Sequence, residues 1–103
     1  MTFDGAPTLA LRRRVHSALA AYRDGTYSLP ELIDDLSMLI NEMENDSVNA
    51  INSEWISEFR QQWGTLEEVY AVALDRGQSL DALPEKSASA IDSATAHIEN
   101  MLK

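Results

Sequence analysis

Across 27 residues, from Val48 to Leu74, the apolar side chains keep to one face of a helix. Val48, Ile51, Trp55, Ile56, Phe59, Trp63, Leu66, Tyr70, Ala73 and Leu74 recur at helical spacing without a slip of phase. A strand cannot carry this pattern, because its side chains alternate between faces with a period of two. Gly64-Thr65 followed by Glu68 has the form of a helix stop and a fresh capping box. The unbroken phase argues instead for one long helix over 47–76, with Gly64 the place for any bend and Gly77 its end. A stripe of that length needs other helices to bury it.

Three further amphipathic segments supply them. From about Thr8 to Asp24, Leu11, Val15, Ala18, Leu19 and Tyr22 form a stripe, and Gly25 suits the left-handed residue that ends a helix. The next segment starts at Ser28, which forms a capping box with Glu31, and Pro30 fits its first turn. Leu29, Leu32, Ile33, Leu36, Ile40 and Met43 line its inner face up to about Glu44. Beyond Pro84, Ala88, Ile91, Ala94, Thr95, Ile98 and Leu102 form a narrow face of mostly small residues, suited to close packing. Nothing reads as a strand. The expected fold is all-α, a single-domain antiparallel bundle of four main helices over residues 1–103, and 45% apolar composition can fill its core.

The chain has no cysteine, which excludes disulfide scaffolds, cysteine metal sites and thiol catalysis. Met1 to Ala10 lacks a basic flank leading into an apolar run, and no stretch approaches the ~20 apolar residues of a membrane span. The expected compartment is the cytoplasm, without membrane attachment.

Charge is unevenly distributed. Between Asp24 and Phe59 there are nine acids, namely Asp24, Glu31, Asp34, Asp35, Glu42, Glu44, Asp46, Glu54 and Glu58, and no Lys or Arg. That block equals the net charge of the whole chain, −9, and argues against nucleic-acid binding. So many like charges repel one another in a folded state. They form either a solvated surface that keeps the protein soluble or a docking surface whose repulsion a cationic partner relieves. On the second helix, Glu31, Asp34, Asp35, Met38 and Glu42 fall opposite the apolar stripe, so four carboxylates surround one exposed methionine. This is an ordinary polar face or a charged rim around an adaptable apolar contact. Tyr27 lies in the turn beside it, and Asp46, Glu54 and Glu58 make a second acidic set across the next connection. Arg12, His16 and Arg23 share a flank of the first helix, where pairing with neighbouring acids is the expected role.

Signs of catalysis are sparse. His16 and His97 lie on different helices without an evident carboxylate partner, and there is no glycine-rich phosphate loop, HExxH or GxSxG. Neither histidine follows a Glu by three residues, as a carboxylate-bridged di-iron bundle needs, and Asp46, Asn49 and Asn52 miss the calcium-loop spacing. The expectation is a protein that is not an enzyme and holds no metal or cofactor. One cofactor alternative remains: Asp46-Ser47-Val48 at a helix start resembles the site of acyl carrier proteins, whose serine carries phosphopantetheine. Three features depart from that family: Val after the serine, an amphipathic helix where those proteins have a long loop, and the Trp55 and Trp63 pair. As a plain N-cap residue, Ser47 is also accounted for.

Two further stretches carry a family resemblance. They are Gly25-x-x-Ser28-Leu29-x-x-Leu32-Ile33-x-Asp35-Leu36 and Trp55-x-x-x-Phe59-x-x-x-Trp63-x-x-Leu66-Glu67-x-x-Tyr70-Ala71. Over about residues 22 to 77 the chain resembles small all-α immunity proteins of bacterial polymorphic and contact-dependent growth inhibition toxin systems. The resemblance implies a cytosolic antidote, monomeric or in a 1:1 heterodimer with a toxin domain, often a nuclease, that it blocks. Physical reasoning joins it there, since a nuclease active site is basic and an acidic surface can occupy it. The expected contact residues are Tyr27, Glu31, Asp34, Asp35, Met38, Glu42, Asp46, Glu54 and Glu58.

Overall fold

A computed structural model describes residues 7–46 and 51–103. Its elements are α1 (Leu9–Arg23), α2 (Leu29–Glu44), α3 (Ser53–Asp75) and α4 (Glu85–Met101). The described residues contain no strand.

Helix boundaries follow from local chemistry. The Thr8 hydroxyl accepts the Leu11 amide at the start of α1. At the other end Gly25 adopts φ 88°, and the Tyr27 amide returns to the Ala21 carbonyl, so the chain reverses within four residues. Helix α2 opens on the full capping box: the Ser28 hydroxyl accepts the Glu31 amide, and the Glu31 carboxylate accepts the Ser28 amide at 2.8 Å. Helix α3 ends in a Schellman motif, with Gly77 at φ 65°, its amide on Leu74 and the Gln78 amide on Ala73.

Two expectations about α3 meet different outcomes. The helix runs unbroken through Gly64, as its phase required, and Thr65 turns its hydroxyl back to the Gln61 carbonyl instead of opening a new helix. Its start, however, is Ser53 and not the region of Val48, because the Asn52 side chain caps the Glu54 and Trp55 amides. Ile51 is nevertheless buried, so the apolar phase outlasts the helix that suggested it. Ser47 and Val48 lie outside the described residues.

The helices pack as sequential antiparallel neighbours. Arg14 meets Glu42 across α1 and α2, Glu44 meets Arg60 and Ile33 meets Trp63 across α2 and α3, and Glu58 meets His97 across α3 and α4. Of the helix pairs that touch, α1 and α4 do so least, so the bundle closes weakly along that seam. At about 1.5 Å per residue the 23 residues of α3 span roughly 35 Å, about ten more than any neighbour. In its last turn Ala73 is buried while Leu74 is 63% exposed, and the molecule measures 47 × 23 × 19 Å.

The core lies along the shared axis. Val15, Leu19, Leu32, Leu36, Leu39, Met43, Phe59, Leu66 and Ile98 are almost wholly buried. Trp55, Trp63 and Tyr70 pack against this core half-buried, and Trp55 meets Phe59 at 5.5 Å between ring centres. The Trp63 indole N–H donates to the Ile33 carbonyl at 2.9 Å, which lets a large ring sit at the α2–α3 seam with its polar atom satisfied. Buried Thr95 bonds back to the Ile91 carbonyl at 3.0 Å. Ala88, expected on the inner face of α4, is exposed, because it sits in the first turn at the edge of the stripe.

Candidate functional site

The capping box fixes where α2 begins, and its apolar stripe fixes which way it faces. Together they present Glu31, Asp34, Asp35, Met38 and Glu42 on the side away from the core. The carboxylates then divide by what they touch. Glu31 is engaged in the cap, where the Ser28 amide, followed by its hydroxyl, holds the carboxyl below its ordinary value. Asp35 accepts the Tyr27 hydroxyl at 3.1 Å; that hydrogen bond, and then the carboxylate's charge, push the Tyr27 phenol up. Glu42 pairs with Arg14 at 2.8 Å across the α1–α2 seam. Asp34 and Met38, the latter 59% exposed, lie between them without a partner among the described residues.

Tyr27 is half-buried and leans on the core, so its hydroxyl is committed to Asp35 while its ring edge borders solvent. It also lines a cleft of about 600 Å³ at the turn end of the bundle, together with Tyr22, Glu31, Asp81 and Asp92. Burial, and then the Asp92 charge, push the Tyr22 phenol up.

The second acidic set is spread over different surroundings. Asp46 is half-buried and lines a cleft of about 510 Å³ between α2 and α3, beside Met43, Ile51, Ile56 and Arg60. Glu54 is exposed in the first turn of α3, where a carboxylate complements the helix dipole. Glu58 turns toward α4 and lies 3.2 Å from His97 Nε2. His16 also has an acidic neighbour: Glu99 approaches its Nδ1 at 3.5 Å and accepts Arg23 at 2.7 Å. The pairing with a neighbouring acid expected of His16 and Arg23 thus falls on Glu99, but the sequence named no acid for either histidine, because both partners come from a different helix and only the bundle's register brings them together.

This register also lowers the effective charge of the acidic block. Glu42 and Glu44 of the block, and Glu99 outside it, are each within ion-pair distance of an arginine. The Arg23 hydrogen bond, followed by its charge, holds the Glu99 carboxyl below its usual value. What stays uncompensated on α2 is therefore centred on Asp34. Such an arrangement can attract and orient a cation. Among the described residues no group of three or more His, Asp or Glu side chains is placed to hold a metal ion. No described helix is long and apolar enough to cross a membrane. No protein-family model, curated protein or solved structure matches the chain.

Proposed function

We propose that this protein is a non-enzymatic inhibitor of a cationic protein, of the kind its sequence resembles: an immunity protein that occludes a toxin domain, such as a nuclease acting on RNA. The observation that carries this reading is the outer face of α2, where Asp34 and Met38 stand unpartnered within a rim of carboxylates. Rim charge of one sign steers encounter with an oppositely charged patch and raises the association rate. A flexible, polarisable methionine at the centre offers an apolar contact that adapts to the surface it meets. Glu31, Asp35 and Glu42 are held in place by their own hydrogen bonds and ion pair, so little side-chain freedom is lost when they are covered. Neutralising a toxin in this way needs an interface of roughly 1,600 Å² in total, wider than α2 alone, and Tyr27, Asp46, Glu54 and Glu58 are the residues assigned to its margins.

Co-expression tests the function. The chain is produced in the cytoplasm together with the polypeptide encoded immediately upstream of it. Restored growth, with the two proteins copurifying, is the expected result; continued toxicity with both well expressed contradicts the proposal. The carrier-protein alternative rests on Asp46-Ser47-Val48 alone and predicts a mass gain on treatment with a phosphopantetheinyl transferase that Ser47→Ala abolishes.

A further inference from the structure

The weakly closed α1–α4 seam leaves a groove of about 710 Å³. Four of its lining residues are basic: Arg12, Arg13, His16 and Lys103. In a chain of net charge −9 this is a local reversal of sign. The acid on the wall, Glu99, is already shared by Arg23 and His16. Arg13 has no partner among the described residues, and the Arg12 Nε–H is buried with no acceptor, which is costly for a charged group. Leu9, 55% exposed, and Leu102, half-buried, give the groove an apolar wall.

We infer that this groove binds a small amphipathic anion, with a carboxylate or phosphate monoester head and a short apolar chain. The head supplies the acceptor that Arg12 lacks and takes a charge-assisted hydrogen bond from Arg13. The chain covers Leu9 and Leu102. The volume is that of a small-molecule site, and the pairing of a cationic floor with an apolar wall selects for molecules carrying both features. The site does not depend on the inhibitor reading, since it uses none of the residues assigned to that face.

Titration of the isotopically labelled chain, followed by amide chemical shifts and by calorimetry, tests the inference with octanoate, octyl phosphate, octanol and acetate as probes. The expected result is saturable binding of octanoate or octyl phosphate, with shifts confined to residues 9–17 and 98–103, at least tenfold tighter than octanol or acetate. Whichever head binds tighter identifies the anion. Arg12→Gln should weaken binding about tenfold. Because Arg12 is partly buried, the exposed pair Arg13→Gln with Lys103→Gln provides a second variant, expected to weaken binding with unchanged circular dichroism. No saturable shift, shifts spread over the whole chain, equal binding of octanol and octanoate, or unaltered affinity in the exposed double variant would each overturn it.

Discussion

Individual carboxylates in this chain have different roles despite equal charge. Glu99 shows how the sign of a pKa shift translates into stability. Its folded value is lowered by Arg23, so its contribution is present above the ordinary value of 4.5 and disappears as pH falls through the lower folded value. Glu99→Gln should therefore lower stability by up to about 1 kcal/mol at neutral pH, as for other partly exposed ion pairs. Denaturant midpoints of variant and wild type should then converge as pH is lowered below 4.5; a constant gap would rule out the ion pair as the cause. Trp63→Phe removes the indole donor to Ile33 while keeping an aromatic ring at the seam. The expected loss is about 1–2 kcal/mol in urea unfolding, with unchanged helicity. The half-buried state of Trp63 was not legible in the sequence, because periodicity gives the side of a helix a residue occupies and not how far the partner helix covers it.

Among the helices, the boundaries marked by a single local signal were legible, and the one with two competing cap residues was not. Ser28 with Glu31, and the glycines at 25 and 77, declare their roles within a few residues, and the structure uses them so. The start of α3 was misplaced because Ser47 and Asn52 are both good N-cap residues, and the buried Ile51 prolongs the apolar phase past the cap. The long phase did decide the harder question at Gly64, where the helix continues. Gly64 and Gly77 now make a controlled comparison. At Gly64 the backbone is helical and a Cβ meets nothing within 4 Å, so Gly64→Ala should stabilise by about 0.5–1 kcal/mol. Gly77 also has open space around it but holds φ 65°, so Gly77→Ala should destabilise by about 1 kcal/mol. Thermal midpoints moving in the same direction for both would contradict this account of α3.

For the whole molecule, the inter-helix register converts a sequence-level charge block into a focused face. A linear reading located nine acids without interruption, but it could not foresee that Arg14 and Arg60 from neighbouring helices would each take one of them. It put Arg12 and His16 on one flank of the first helix but not in a groove, whose other wall comes from the far end of the chain. The candidate contact residues were identifiable as a helix face; their division into committed and available carboxylates depends on Tyr27, Ser28 and Arg14 standing where the fold puts them. An exposed acidic face working through steering should show association rates that fall as salt rises, since a Debye length of about 10 Å at 0.1 M shortens to about 3 Å at 1 M.

The most direct measurement is the dissociation constant for the cationic polypeptide encoded upstream, compared between the wild-type chain and Asp34→Lys with Met38→Lys. Both side chains are exposed and without partners among the described residues, so the variant should retain the wild-type thermal midpoint. Binding weakened a hundredfold or more, mostly through slower association at low salt, is the predicted result. An unchanged constant with the fold intact would mean that the partner grips another surface and that the carboxylates of α2 serve only to keep the protein in solution.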